Sequence, residues 1–295
     1  MNSIRKHLLF AVVALVGHCP LAHAAECDSP RPEWLLCDDF ESGSLSKWNV
    51  YFPNVISIVA PPTGSSILGT SAPRTGNGVL RIHYEISSPT PEHADDNSML
   101  HTNLSALVNH IFVRGYVLIP NNTTLYGATS TIQRKLLYFK SNPRPGTEEQ
   151  TFGFFLSSEV SDRNVDYVNL RLGYQGGGGV GASIWDVGRL PKGRWVALQM
   201  EARLNTPTAA GQPASQDGVF RVWVDNVLIH ETTTVDFRSP DGNSAAYSIG
   251  QVEVGRQVDR YRGDAVSEDR YWDNIVISRS FIPSPVGPKA PTGLR

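Results

Sequence analysis

The sequence is poor in cysteine and has no cysteine pattern typical of a metal site. It contains three cysteines in 295 residues, and none belongs to a Cys-x-x-Cys pair or a Cys/His cluster. Structural zinc sites are built from such clusters, so we expect no zinc-binding domain. The 26 Lys and Arg residues are also scattered among 28 Asp and Glu residues, with no basic block. A nucleic acid partner is therefore not expected, because the chain lacks the positive patch that such a partner requires.

After its first residues the chain has no apolar stretch long enough to cross a membrane. A basic start, MNSIRKH, precedes the apolar run LLFAVVALVG and the small-residue context LAHA. The run is too short to span a bilayer, so these features predict a secretory signal peptide over residues 1–24. We therefore expect a secreted or periplasmic protein without a membrane span.

Removal of the signal peptide would leave two cysteines, Cys27 and Cys37. An even pair in an exported chain predicts a disulfide, and two free buried thiols are the alternative. Closing so short a loop would stabilise the fold by about 2–3 kcal/mol.

Alternation of apolar and polar residues runs through most of the chain. In NGVLRIHYEI (77–86), Leu80 and Ile82 fall on one face, and Arg81 and His83 fall on the other. The segment WVALQMEARL has helical propensity, but its alternation favours a strand. Turn residues bound nearly all of these segments, and no βαβ pattern or internal repeat is present. We predict one all-β domain over residues 25–281, a sandwich of two antiparallel sheets, followed by a Pro-rich tail or linker over 282–295.

Three pieces of sequence resemble a known family. They are DDFESGSLSKW (38–48), the pair GRWVALQMEARLN (193–205) and DGVFRVWVDNVLIHE (217–231), and YWDNIVIS (271–278). Together they resemble the concanavalin A-like jelly rolls of secreted carbohydrate-active proteins. The subgroup they are most similar to is the polysaccharide-lyase-like one, related to glucuronan, alginate and heparin lyases. The resemblance covers residues 35–280 and implies an acidic polysaccharide as the partner. We also expect a monomer.

The resemblance also implies a structural calcium ion, because the first and last strands of that superfamily commonly share one. Asp39 and Glu41 alternate in the first segment and would point the same way if it is extended. Asp273 lies among apolar neighbours, where an unpaired carboxylate would be costly. A Ca²⁺ ion held by Asp39, Glu41 and Asp273 would compensate these charges. The alternative is that the first acids are solvated and that Asp273 caps a backbone amide.

Some motifs of enzymes with this fold are absent. The chain has neither the Glu-x-Asp-x-x-Glu motif of laminarinase-type hydrolases nor the Arg-x-Glu-x-Arg and Gln-x-His motifs of alginate lyases. The resemblance still implies β-elimination on a uronic acid. In that reaction polar or basic groups neutralise the substrate carboxylate, a His or Tyr removes the adjacent proton, and a Tyr acts as the acid. No organic cofactor is needed.

Two polar strand faces could supply these groups. HIFVRGYVLIP places His110, Arg114 and Tyr116 on one face, and DYVNLRLGYQ places Tyr167 and Arg171 on one face. We predict that Arg114 or Arg171 neutralises the substrate carboxylate. Tyr167 or His110 would then move the proton, and Tyr116 is a further catalytic candidate nearby.

The predicted substrate-binding residues are Lys135, Asn169, Gln175 and Trp185. We expect Arg114, Lys135, Tyr167 and Arg171 to line one concave groove. The same faces are compatible with two other functions. One is a carbohydrate-binding jelly-roll module without catalysis, and the other is a structural or adhesion domain.

Overall fold

The three-dimensional structure is a computed structural model. It describes residues 26–51, 55–62, 78–86, 99–123, 133–141, 152–159, 166–176, 185–209, 212–213, 215–238, 248–259 and 266–283. The predicted signal peptide (1–24) and all but the first two residues of the predicted tail (282–295) lie outside these ranges.

Regular structure in the described residues consists of strands and one 3-10 turn (Glu26–Asp28). The strands are β1 (Trp34–Asp38), β2 (Asn49–Tyr51), β3 (Ile56–Val59), β4 (Val79–Ile86), β5 (Met99–Val108), β6 (His110–Leu118), β7 (Gln133–Ser141), β8 (Phe152–Glu159), β9 (Tyr167–Gly176), β10 (Trp185–Pro191), β11 (Trp195–Arg203), β12 (Gly218–Val224), β13 (Val227–Val235), β14 (Ile249–Asp259) and β15 (Val266–Ser278). Within these ranges no helix has the length and apolarity that a membrane crossing requires.

The strands form two antiparallel sheets. One sheet has eight strands, in the order β13-β12-β11-β6-β15-β4-β3, with β1 also paired to β15. The other has seven strands, in the order β10-β9-β8-β7-β14-β5-β2. Neighbours within each sheet are often distant in sequence, as in a jelly roll. The prediction of an all-β sandwich of two antiparallel sheets is confirmed.

The core lies between the two sheets because alternate residues of most strands are apolar. Val113 and Val117 from β6 pack in the same buried cluster as Leu137 and Phe139 from β7. The segment at Trp195–Arg203 is a strand, as its alternation predicted. The residues between these apolar positions therefore lie on the outer face of each sheet.

The alternation is interrupted in β7 by a β-bulge. Leu136 and Leu137 are consecutive, yet both belong to the core cluster. The register of β7 against β8 shifts between Lys135 and Leu137. Lys135 consequently shares the outer face with Tyr138, and its ammonium nitrogen lies 5.4 Å from the centre of the Tyr138 ring. Lys140 lies on the same face, two residues beyond Tyr138.

Gly255 of β14 lies opposite the bulge, because its neighbours Val254 and Arg256 pair with Leu137 and Lys135. Its φ is +71°, and a Cβ at this position would lie 2.1 Å from Cδ1 of Ile82 in the other sheet. Only glycine fits there without displacement. The Tyr84 hydroxyl donates a hydrogen bond to the Gly255 carbonyl oxygen at 3.0 Å, which ties the two sheets together at this point.

The ends of the described chain pack on the outer face of the eight-stranded sheet. A disulfide joins Cys27 to Cys37, as predicted, and links the 3-10 turn to β1. At the other end Ile282 is fully buried and belongs to a cluster with Phe112 and Val276. Both ends are therefore part of the packed domain.

Candidate functional site

A central cluster of four polar side chains lies on the outer face of the seven-stranded sheet: His101, Tyr138, Lys140 and Glu253. The register pairs His101 of β5 with Glu253 of β14, and Glu253 with Tyr138 of β7. These three residues therefore lie side by side in one row across the sheet. Lys140 stands two residues beyond Tyr138 on the same face and forms an ion pair with Glu253. Its ammonium nitrogen lies 5.5 Å from the centre of the Tyr138 ring.

All four residues of the central cluster are buried, although they lie on the outer face of the sheet. Their exposed fractions are 7% for His101, 1% for Tyr138, 8% for Lys140 and 0% for Glu253. Buried charges are costly unless they are paired, and here the Lys140 ammonium compensates the Glu253 carboxylate. The cluster thus combines an imidazole, a phenol and an internal ion pair in a region of low solvent access.

The surroundings of His101 favour its neutral form. Burial lowers the pKa of its imidazole, and the Lys140 charge lowers it further, while the Glu253 charge raises it. Its Nδ1 has no hydrogen-bond partner in the described part of the chain. The ring packs against Tyr51 of β2 with 5.2 Å between centroids. A neutral imidazole has one nitrogen that can accept a proton, so His101 is suited to be a general base.

Cations flank the central cluster on the side of β8 and β9. Lys135 pairs in register with Ser157, and Ser157 pairs with Arg171. The two basic residues are thus two strands apart, or about 10 Å. Arg171 donates a hydrogen bond from Nε to Asp186 at 2.9 Å.

The remaining predicted residues of β9 follow on the same face. Asn169 and Tyr167 alternate with the buried Val168 and Leu170. The Arg189 guanidinium lies 4.2 Å from the centre of the Tyr167 ring. The structure therefore brings Lys135, Tyr167, Asn169 and Arg171 together on one face of one sheet. Gln175 lies near the end of β9 and Trp185 begins β10, and their side chains are outside what the structure describes.

The predicted residues of β6 lie on the other sheet. His110, Arg114 and Tyr116 project from the outer face of the eight-stranded sheet, opposite the core-facing Val113 and Val117. The prediction that Arg114 lines a groove with Lys135, Tyr167 and Arg171 is therefore wrong. Alternation correctly indicated which residues of β6 point away from the core. However, β6 belongs to the eight-stranded sheet, so these residues lie on the opposite side of the sandwich from Lys135, Tyr167 and Arg171.

Arg114 joins the two ends of the described chain. Its side chain is 1% exposed and forms an ion pair with Glu26, next to the disulfide. Nη1 donates a hydrogen bond to the Pro283 carbonyl oxygen at 3.3 Å, and the guanidinium lies 5.2 Å from the centre of the Tyr116 ring. These contacts explain why a charged side chain is buried here, and they give Arg114 a structural role.

His110 is also engaged in a surface network. Its Nε2 lies 2.8 Å from Oε1 of Glu201, whose other oxygen pairs with Arg221 at 3.0 Å. Burial would raise the pKa of Glu201, but the hydrogen bonds from His110 and Arg221 outweigh it and lower the pKa. The network stabilises the outer face of the eight-stranded sheet.

Asp273, one of the three predicted calcium ligands, lies at a break in β15. Strand β4 pairs with β15 up to Trp272, and β1 pairs with it from Ile275 onward. Asp273 lies at the change of partner, and the register of β15 against β6 shifts after it. Phe40 and Asn274 both have positive φ, 58° and 45°, a conformation that non-glycine residues adopt most often at turns and ligand sites.

The electrostatics of Asp273 favour a cation. The side chain is fully buried, and one oxygen, Oδ2, has no hydrogen-bond partner among the described residues. Burial, together with the negative charges of Glu41, Asp39 and Asp38, raises the pKa of Asp273 to about 9. A hard cation would neutralise these carboxylates and would take Oδ2 of Asp273 as a ligand.

The side chains alone do not complete a metal site. Across the described ranges, no three His, Cys, Asp or Glu side chains are close enough together to hold an ion. Asp38 accepts hydrogen bonds from Trp48 Nε1 at 2.7 Å and from the Lys47 ammonium at 3.2 Å. A calcium shell would therefore need Asp273, Asp39 or Glu41, and backbone carbonyl oxygens.

Sequence analysis missed the central cluster, although a signal for part of it was present. Tyr138 and Lys140 occupy alternate positions in LLYFKS, and Glu253 stands between two buried valines in QVEVG. A charged residue at the polar position of an otherwise apolar strand is a candidate for a site. The position of His101 beside them could not be inferred, because it depends on the pairing of β5 with β14.

Several solved structures have this arrangement of strands. Alginate lyase Aly36B is 12% identical, over 83% of this chain and 94% of that one, with a TM-score of 0.51. Alginate lyase vAL-1 from Chlorella virus is 12% identical, over 84% and 100%, with a TM-score of 0.52. The marine PL-14 alginate lyase from Aplysia kurodai is 14% identical, over 83% and 98%, also at 0.52. This chain has the jelly-roll fold of the alginate lyases.

The likeness concerns the fold alone, because the sequence identities are low. No protein-family model matches the sequence, and no curated protein matches it. The resemblance inferred from the sequence, to polysaccharide-lyase-like jelly rolls, is confirmed at the level of the fold. The chemistry has to be argued from the side chains.

Proposed function

We propose that the protein is a secreted lyase that cleaves an acidic, uronic acid-containing polysaccharide by β-elimination. The supporting observation is the central cluster, in which a neutral imidazole, a phenol and an ion pair lie buried together on one sheet face. Lys135 and Arg171 lie beside it on the same face. These two cations suit an acidic polysaccharide as the ligand, and the jelly-roll fold is compatible with such a ligand.

The first requirement of β-elimination is neutralisation of the uronate carboxylate, because the adjacent proton is only weakly acidic. Lys135 and Arg171 project from the face that carries the cluster, and each can donate hydrogen bonds to a carboxylate. Such donors stabilise the negative charge that develops when the proton leaves. Lys135, on β7, would neutralise the carboxylate beside the proton that is removed. Arg171 is four strands from His101, or about 19 Å, so it would hold the carboxylate of a neighbouring uronate, and Arg114 is left out.

The second requirement is a base and an acid. His101 would accept the proton α to the carboxylate, and the electron pair of that bond would form the double bond as the bond from the β carbon to the glycosidic oxygen breaks. Tyr138 would donate its proton to the leaving oxygen. Tyr167, predicted from the sequence to move the proton, lies on the same face. It is six residues along β9 from Gly173, which stands in the row of Tyr138, or about 20 Å away, so it is left out of this step.

We also propose that a calcium ion binds at the break in β15. Asp273 and either Asp39 or Glu41 would hold it, with backbone oxygens completing the shell. Calcium would neutralise the buried carboxylates and fasten the first strand to the last. Its role would be structural, because this break lies in the eight-stranded sheet and the central cluster lies in the seven-stranded one.

The test is an ultraviolet assay for the unsaturated uronate product, run on polymannuronate, polyguluronate and polyglucuronate. We expect absorbance to rise with at least one of them. His101→Asn should lower turnover by about 10²–10⁴-fold, the usual contribution of a general base. Arg171→Ala should lose turnover while keeping the melting temperature. Glu231→Gln, on the other sheet, is the control and should keep full activity.

A carbohydrate-binding module without catalysis is the second candidate, favoured by the absence of the alginate-lyase motifs. No absorbance change with any polyuronate would reject the lyase. Retention of a polyuronate in affinity electrophoresis, weakened by Arg171→Ala, would then support the binding module.

A further inference from the structure

We propose that Glu253 is a positioning residue, which fixes the Lys140 ammonium beside Tyr138 and, through its charge, sets how readily the His101 imidazole takes a proton. The kinetic consequence of this role rests on the proposed lyase function. The electrostatic role does not, because it concerns groups that are in contact in the protein itself.

A buried carboxylate is unexpected on a face that would bind a polyanion. Glu253 is fully buried, so its charge costs desolvation free energy. Its negative charge would also repel a uronate. In some proteins a buried charge of this kind organises its neighbours. Glu253 stands in register between His101 on β5 and Tyr138 on β7, and its carboxylate pairs with Lys140.

The groups around His101 act on its protonation in opposite directions. Glu253 faces it from β14 and favours the imidazolium, while Lys140 faces it from β7 and disfavours it. On β2, Asn49 is the register partner of His101 and Tyr51 packs against its ring. The Glu253 contribution exceeds that of Lys140, so the ion pair as a whole raises the pKa of His101 against the effect of burial.

This arrangement has a chemical use. A general base works best when its pKa lies near the operating pH. Burial alone would leave His101 a weak base, and Glu253 restores part of its basicity. Lys140 compensates the negative charge of the Glu253 carboxylate. Glu253 thus acts through His101 and Lys140 and need not touch the substrate.

The test is an NMR titration of the His101 ring protons, assigned by their loss in His101→Asn. Glu253→Gln keeps the shape of the side chain and removes its charge, so His101 should titrate at a lower pH than in the unsubstituted protein. In Glu253→Gln/Lys140→Gln the midpoint should lie between those two. Glu231→Gln, which also removes a glutamate paired with an arginine, should leave the midpoint unchanged.

The double variant also guards against misfolding of the single one. Removing both partners of a buried pair is better tolerated than removing one. Its midpoint must lie below that of the unsubstituted protein, because Glu253 is the larger of the two influences. A midpoint in Glu253→Gln or in the double variant that equals or exceeds that of the unsubstituted protein would overturn the proposal.

Kinetics supply the second readout. The acid limb of the kcat/KM profile should move to lower pH in Glu253→Gln and stay in place in Glu231→Gln. A purely structural role for Glu253 would lower activity at every pH without moving that limb, and this result would refute the kinetic part. If the unsubstituted protein cleaves no polyuronate, the lyase proposal fails, and the titration series alone decides the role of Glu253.

Discussion

Substitution of Glu26 by glutamine should destabilise the protein without affecting the proposed active face. Glu26 pairs with Arg114, whose side chain is 1% exposed and whose Nε has no hydrogen-bond partner among the described residues. Glutamine cannot supply the negative charge, so a buried guanidinium would be left without its carboxylate. The Pro283 carbonyl oxygen, at 3.3 Å, would remain as one acceptor for it.

The size of the effect follows from the burial of the pair. Removing one partner of a buried ion pair costs about 3–5 kcal/mol, and we expect about 3 kcal/mol here because the Glu26 side chain is itself 17% exposed. For a domain of this size that corresponds to a fall in melting temperature of about 6–12 °C. Arg114→Met should cost roughly half as much, because the stranded Glu26 can turn towards water.

The measurement is urea unfolding of the unsubstituted protein, both single variants and the double variant. The cycle isolates the coupling between Glu26 and Arg114, which should exceed about 1 kcal/mol, more than exposed pairs usually provide. Lyase or binding activity, measured well below the melting temperature, should be unchanged in all of them. A loss of activity in folded Arg114→Met would restore Arg114 as a functional residue, and additive free energies would refute the ion pair.

Two further predictions concern the break in β15 and the bulge in β7. Because the folded-state pKa of Asp273 is raised to about 9, the metal-free folded chain holds a proton that the unfolded chain releases, so the free energy of unfolding should fall as the pH rises from about 4 to about 9. Added Ca²⁺ should raise the melting temperature more at about pH 8 than at about pH 5, and Asp273→Asn should remove both dependences; a flat profile would contradict the assignment. Gly255→Ala should lower the free energy of unfolding by more than about 2 kcal/mol, because it adds backbone strain and a clash with Ile82. Gly43→Ala is the control: it has a similar φ of +65° but no heavy atom within 4 Å of the new Cβ, so equal losses in the two variants would exclude the clash.

The sequence by itself determined the local structure. Alternation identified the strand at Trp195–Arg203 against its helical propensity, because a sheet with one buried face imposes a period of two. It also placed Tyr167, Asn169 and Arg171 on a common face, since no bulge interrupts that part of β9 against β8. The disulfide between Cys27 and Cys37 followed from the cysteine count, and the structure contains it.

Tertiary structure decided which of these faces belong together. Alternation gives the side of a strand but not its sheet, and the crossovers of the jelly roll put β6 in one sheet and β7 and β9 in the other. The bulge at Leu136 changed the phase of β7 and brought Tyr138 and Lys140 to the face of Lys135. His101 and Glu253 are 152 positions apart in the chain and became neighbours only through strand pairing. Contacts of this kind depend on register between distant segments, which no local pattern encodes.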